Sequence, residues 1–442
     1  MRGNGDSWRK YRWHWKCAEK TVLTEKLIHY FRQIPDYRCG REKRHDLGEM
    51  LVCVTLGFLC GRTTIRRSLK WCKTHLEELR KHMNLKYGIA SPSTITRMLN
   101  GIDEELALYA FMEWIGEIVE SRNTHLAIDG KALCGATEKT KGETTPMLLN
   151  VVETVRGLIL AQLPVDSKTN EITAIPELLK LLDISGSIVT IDAVGTQTAI
   201  MEQIHEQGGH FVLTVKKNQP EAYTFMDKLG AEDLKRKKGE AMDPGMKEFL
   251  EKYEEISQME KNRDRNEYRT CQICKDASNL TKSQKEWPHV QSIGRIKQVR
   301  IPKEKDSQGN DVTPSKEEFL EKGSRRIPAP SAGEGAGKDV QCTALISDLI
   351  LTAEELGSIK RMHWSIENRL HHVLDDTFRE DRSPAKKSRN NLSLIRKYAY
   401  NILRLAMYET GLANIMTEMM DCFCDNAALR ERYVFQGIAS LY

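Results

Sequence analysis

The sequence has no apolar run of about 20 residues, the length a membrane-spanning helix needs. Its longest apolar stretch, MLVCVTLGFLC at residues 50–60, is too short and reads as a buried helix. An apolar leader with a small-residue cleavage site is also missing, so the expected setting is the cytoplasm and no membrane partner is expected. Strong net charge is missing too. The 67 Lys and Arg against 62 Asp and Glu leave only +5, so bulk charge alone assigns no partner. The cysteines do not form a framework. They number 11, an odd count in a long chain without a secretion signal, and are expected as reduced thiols. Cys271/Cys274 and Cys422/Cys424 lack the second pair or the nearby histidines of a zinc finger. No internal repeat is visible, which excludes a solenoid.

What is present starts with size. A chain of 442 residues, 40% of them hydrophobic, has ample material for about three domains. The charge it carries is uneven: residues 1–44 hold 12 Lys and Arg against 5 Asp and Glu. Within them WRKYRWHWK (8–16) interleaves aromatic and basic residues, suited to a phosphate backbone with occasional stacking, or equally to a solvated terminus. Residues 21–120 show helical spacing of apolar positions. Ser91-Pro92-Ser93 reads as a helix start that puts Thr94, Thr96 and Arg97 in an exposed first turn. Either a helix-turn-helix or a plain helical packing domain fits that pattern.

From Thr124 the period changes to that of strands. HLAID is followed by MLLNVVETV and LILAQLPV, joined at Arg156-Gly157 as a hairpin. Then come a helix ending at Gly186, the strand SIVTIDA, a helix, and the strand HFVLTV. This order predicts an α/β mixed sheet with helices packed on it. Residues 226–340 break the rhythm. They are rich in Lys and Glu, include strand-like YRTCQIC and SIGRIKQVRI, and read as an insertion that is partly β and partly flexible. TALISDLIL resumes the sheet, and two long helices close the pattern, the last ending at Gly411.

Asp129 and Asp192 each terminate an apolar strand run. Lone buried carboxylates are costly, and two close together repel unless a cation lies between them. A hard cation with oxygen ligands, Mg²⁺ or Mn²⁺, removes that conflict, and two such ions clamp the attacking and leaving oxygens of a phosphoryl displacement. A third acid is then wanted. HWSIENRLHHVLDD places His363, Glu367 and His371 at α-helical spacing, with Glu367 the best third ligand. A His-Glu-His zinc site or a merely solvated Glu367 fits the same spacing.

These stretches together resemble bacterial insertion-sequence transposases of the DDE class, in the group that includes the H-repeat-associated proteins. AIDGKALCGA resembles the first-acid segment of that group, VTIDAVGTQ the second, VLTVKKNQP its following strand, and HWSIENRLHHVLDDTFREDRS its third-acid helix. IPDYRCGREKRHDLGEMLVCVTLGFLCG and SPSTITRMLNGID resemble its N-terminal helical region. The likeness runs from about residue 34 to about residue 405.

The resemblance implies an RNase H-like mixed sheet core with helices on both faces, an N-terminal helical domain and a partly β insertion. It divides the chain into a DNA-binding helical region (1–120), a first part of the core (121–225), the insertion (226–340) and the remainder (341–442). It implies Asp129, Asp192 and Glu367 as catalytic, metal-binding acids holding two Mg²⁺ or Mn²⁺ ions. DNA contacts are expected from Lys131, Lys216, Asn218, Gln219, His363, Asn368, Arg369 and His371. Related transposases carry Tyr-x2-Arg-x3-Glu-x6-Lys on the last core helix. Here Lys360, His363 and Leu374 stand at the Tyr, Arg and Lys positions, so the roles of that signature do not transfer. The implied partner is double-stranded DNA, both element ends and target, bound by a homodimer. Two rival readings remain: a domesticated DNA-binding protein without activity, and a cellular RNase H-like nuclease.

Overall fold

The computed structural model describes residues 24–40, 43–133, 145–165, 171–192, 195–215, 220–261, 265–278, 287–305, 311–312, 314, 340–383 and 385–441. The chain opens on helices α1 (Leu27–Gln33), α2 (Leu47–Leu59), α3 (Ile65–Thr74), α4 (Leu76–Leu79), α5 (Pro92–Gly101) and α6 (Glu104–Gly116). Strands β1 (His125–Ala132), β2 (Met147–Glu153) and β3 (Leu158–Val165) follow, then α7 (Glu171–Lys180), β4 (Ile188–Ile191), α8 (Thr198–Glu206) and β5 (His210–Val215). Next are α9 (Pro220–Lys238), α10 (Lys247–Glu251), β6 (Tyr253–Lys261), β7 (Arg265–Cys274), β8 (Ser292–Pro302), the short β9 (Glu304–Lys305) and β10 (Asp311–Val312), and β11 (Val340–Ser347). Helices α11 (Ala353–Ile366), α12 (Arg389–Thr410), α13 (Met416–Asp425) and α14 (Ala427–Arg430) complete the order.

The chain forms two compact units, and the strand β1 passes from one to the other: Met1–Ser121, Gly130–Lys168 and Glu367–Tyr442 make the first, Arg122–Asp129 and Thr169–Ile366 the second. In the second unit the strand order is β1-β4-β5-β11-β8-β7-β6. The pairs β1/β4 and β4/β5 are parallel, whereas β11 runs antiparallel to β5 and β8. In the first unit the hairpin β2/β3 pairs antiparallel, in the order β3-β2-β1. The chain order of strand, hairpin and then helix-separated strands β4 and β5 is that of an RNase H-like core.

Period-two alternation decides which side of the second unit's sheet each helix covers. Val212, Cys271, Ile273, Ile296 and Leu345 form one apolar cluster with Leu356 and Ile359 of α11. Gly294 sits there because a Cβ would lie 2.3 Å from Leu356. Gln272 and Arg295 alternate to the opposite side, where Arg295 reaches Asp227 of α9. The sheet is thus mixed, with a helix on each face.

The insertion region holds further ordered elements beyond those named from the sequence, chief among them α9 and β6. Helix α9 buries Phe225, Met226 and Leu229 at three- and four-residue spacing, which the dense Lys and Glu of the segment hide. Strand β6 is the polar edge of the sheet, so its sequence shows little apolar alternation.

In the first unit, every residue of α2 is buried. Asp46 caps it, accepting from the Glu49 N–H at 2.8 Å. Gly57 allows α3 to approach, because a Cβ there would lie 2.1 Å from that of Ser68. Truncating Leu56 to Ala in this packed helix would cost about 2–5 kcal/mol. Helix α12 covers the hairpin. Asn401 bonds both the N–H and the C=O of Ile159, at 2.9 and 2.8 Å, beside the bulge at Val151/Val152. The turn at Gly157 has φ +75°, which glycine adopts without strain.

Candidate active site

Strands β1 and β4 pair in parallel with Ile128 opposite Ile191. The next residue of each is an acid: Asp129, midway along β1, and Asp192, just past the end of β4, so continuing the register by one residue sets them opposite each other. Adjacent strands are about 4.8 Å apart, and in-register residues share a face. Asp129 is half-buried and Asp192 exposed. Beyond the Ile191–Leu213 pair of β4 and β5, the residue next to Asp192 is Thr214. Asp129, Asp192 and Thr214 therefore form one row on one face.

That face is the one α11 covers. Its buried Lys360 donates from Nζ to the Thr214 hydroxyl at 2.8 Å. One pleat deeper, the Thr190 hydroxyl lies 3.1 Å from His125 Nε2 and 3.0 Å from His363 Nδ1. Burial, then the nearby Lys360 cation, pushes His125 down to about 3. The same two effects, with His125 added, hold His363 well below the usual histidine range. Both imidazoles are neutral at pH 7. They fix α11 to the strand face beneath the acids and leave Lys360 as the cation beside them.

The expected site residues fall into three groups. Asp129 and Asp192 each follow a residue of the in-register pair Ile128–Ile191. Lys216, Asn218 and Gln219 lie outside the described residues, as does the basic-aromatic segment 8–16. The rest belong to other surroundings. His363 is buried and neutral, so it does not offer a protonated contact to phosphate. Glu367 opens a π-helical turn, Glu367–His371, in the first compact unit. The α-helical spacing that aligned His363, Glu367 and His371 therefore does not run through, because each π turn takes in about one more residue. Glu367, Asn368 and Arg369 are exposed. Among the described residues no group of three His, Cys, Asp or Glu side chains is gathered as a metal cage.

Lys131 is corrected most. It is 3% exposed, and its ammonium lies 2.5 Å from Asp375 and 3.5 Å from both Glu380 and Asp381. Burial opposes its charge, but these carboxylates outweigh it and hold its pKa above the usual lysine value. The side chain is thus committed to carboxylates rather than presented to a phosphate. In the same unit burial, reinforced by Lys131 and Lys397, pushes His371 down to about 4. Lys397 is fully buried, with Nζ 2.5 Å from both Asn150 Oδ1 and Gln162 Oε1. Its burial lowers it to about 7. The Lys360–Thr214 contact has no mark in the sequence, since the two residues lie 146 apart.

Of the two readings of the N-terminal helices, the spacing of α4 and α5 favours the plain helical packing domain. Ser91 caps α5, and Thr96 and Arg97 are exposed. However, residues 80–91 separate α4 from α5, far longer than the three- or four-residue turn of a helix-turn-helix. Cys271 and Cys274, three apart on β7, alternate to opposite faces and are not a joint ligand pair.

The sequence pattern of the Transposase DDE domain family matches residues 120–402, and that of the DDE_Tnp_1-associated family matches residues 28–115. The chain belongs to the DDE transposase family. Among its relatives are YbfL and the H repeat-associated protein YhhI, both of Escherichia coli K12. Each is 28% identical over 385 residues, which is 86% of this chain and 90% of the relative. A protein from the dhlA 3′ region of Xanthobacter autotrophicus is 34% identical over 43% of this chain and 65% of its own length. Among solved structures, a piggyBac transposase synaptic complex with hairpin DNA aligns over 94% of this chain and 79% of its own. Its TM-score is 0.37 and its identity 9%. Among the described residues of the transposase, no helix is long and apolar enough to cross a membrane.

Proposed function

We propose that this transposase cuts and rejoins double-stranded DNA at the ends of its own mobile element, with Asp129 and Asp192 as the core of the catalytic centre and Glu367 as the third acid. The observation that supports the reading is the parallel pairing of β1 and β4, in register at Ile128 and Ile191, the residues just before Asp129 and Asp192. Two carboxylates on one face, with only oxygen donors, fit Mg²⁺ or Mn²⁺ and not a soft metal. A bound divalent ion supplies charge neutralisation at a phosphodiester and a more acidic water.

The chain's own groups do the rest. Asp129 and Asp192 would hold the cation, and the neutral His125–Thr190–His363 contact keeps α11 seated against the strands. Lys360 sets a fixed positive charge one strand from Asp192, where negative charge gathers in phosphoryl transfer. In the first step the oxygen of a water bonds to phosphorus, the P–O3′ bond breaks, and a proton from the water passes by way of solvent to the departing 3′ oxygen. A 3′-hydroxyl and a 5′-phosphate are left. In the second step that 3′-hydroxyl bonds to a target phosphorus and displaces a new 3′-hydroxyl. No covalent protein–DNA bond is formed, so no Ser or Tyr nucleophile is assigned.

The test is a cleavage and strand-transfer assay with Mg²⁺ on DNA carrying the inverted repeats that flank the coding sequence. Joined products that vanish with EDTA support the reading. Tight binding to those ends with neither cleavage nor joining would instead indicate a domesticated DNA-binding protein.

A further inference from the structure

The first compact unit carries a cleft that the catalytic reading does not use. It has a volume of about 290 Å³ and lies between the start of α2 and the segment Asn84–Gly88. Its acids are all committed within the fold. Asp36 takes a two-pronged contact from Arg38, at 2.8 and 2.7 Å. Asp46 caps α2. Buried Glu49 accepts the backbone N–H groups of Asn84 and Leu85, at 2.8 and 3.2 Å. Arg32 lies 3.6 Å from Asp46 and 3.9 Å from Glu49. Lys43, Arg44 and Lys86 also line the cleft. Among the described residues no carboxylate lies within ion-pair distance of these three.

The aromatic wall is Tyr87, 49% exposed. Arg44 and Lys86 sit over its ring, at 5.0 and 5.3 Å from the centroid. The segment holding Tyr87 is pre-shaped. Glu49 pins its start, the Leu85 side chain is buried, Leu85 has φ +40° and Gly88 has φ +69°. Ordering it on binding therefore costs little, as preorganisation requires. A rigid, exposed aromatic ring flanked by cations, inside a concave space, matches a nucleotide whose base is not stacked on its own neighbours. A base within an intact duplex has no free face to offer such a ring.

We infer that the Lys43–Arg44–Lys86–Tyr87 cleft binds an unpaired nucleotide of a DNA strand, its phosphate on the cations and its base on Tyr87. The inference rests on the reading of this chain as acting on DNA, and it adds a site remote in sequence from the acids.

The test measures binding of the full chain to a labelled oligo-dT strand and to a labelled duplex, in wild type and in Tyr87→Ala, Tyr87→Phe, Lys86→Ala and Lys81→Ala. Tyr87→Ala should weaken oligo-dT binding at least about fivefold, the low end of what one stacked base contributes, and leave duplex binding within about twofold. Tyr87→Phe keeps the ring and should restore it. Lys86→Ala should flatten the dependence of affinity on salt by about one unit of slope. Lys81→Ala, an exposed lysine outside the cleft, is the charge-matched control and should change neither. Equal loss on strand and duplex, or oligo-dT binding unchanged in Tyr87→Ala, overturns the assignment. A wild type that binds neither DNA sinks the DNA reading itself. Thermal melts of each variant separate lost contact from lost fold.

Discussion

Asp129 and Lys131 are two residues apart on β1, and the fold uses them in opposite ways. Asp129 is half-buried midway along β1, one residue past the in-register pair Ile128–Ile191. Lys131 is enclosed by Asp375, Glu380 and Asp381. One charge is the carboxylate proposed to meet a cation, and the other is neutralised inside the protein. The contrast shows that proximity on a strand does not make two charged residues one site. What surrounds each charge decides whether it serves chemistry or architecture.

The contrast breaks most sharply under substitution. Asp192→Asn removes one of two adjacent like charges while keeping the shape. Cleavage and joining should fall at least about 10³-fold, several kcal/mol of lost transition-state stabilisation. DNA binding and the melting temperature should hold or rise slightly. Lys131→Met should do the reverse: leaving buried Glu380 without one of its cations costs about 3 kcal/mol or more of stability. Chemical denaturation would read that loss as a lower midpoint, and any fall in activity should track it. A Lys131→Met chain of full stability that fails to bind DNA would return Lys131 to the DNA surface.

The histidines sharpen the comparison through pH. His125 and His371 titrate at about 3 and about 4 in the folded chain, against about 6.5 unfolded. The unfolded chain thus binds more protons between those values, so stability must fall as pH drops from about 6.5 toward 4. Melting curves across that range should show the fall, and His371→Asn should reduce it. The smallest effect is expected from Thr190→Val. It strips the hydroxyl shared by His125 and His363 and should cost about 1–3 kcal/mol. Cleavage should fall modestly as α11 loosens, with DNA affinity kept.

The acids were legible in the sequence because each ends an apolar strand run, and a lone carboxylate there needs an explanation. The register that aligns them was not legible, since strand pairing is decided by contacts 63 residues apart. The hairpin at Gly157 and the helix end at Gly411 were readable from glycines that take positive φ, at +75° and +63°. Lys131 misled because its carboxylate partner Asp375 lies 244 residues along the chain. His363 misled because the helix it sits on buries that face and then widens into a π turn at Glu367. Helix α9 was hidden by its charge density, and its apolar residues emerge as a stripe only against the sheet.

The central claim is that Asp129 and Asp192 together hold a divalent cation. Calorimetric titration of Mn²⁺ into the metal-stripped transposase tests it without any turnover. Substituting even residues outside the immediate ligand set commonly costs 10–100-fold in metal affinity, so Asp129→Asn should lose at least about tenfold. Its circular dichroism and DNA affinity should match wild type. An Asp129→Asn chain that takes up Mn²⁺ as tightly as wild type would contradict the account.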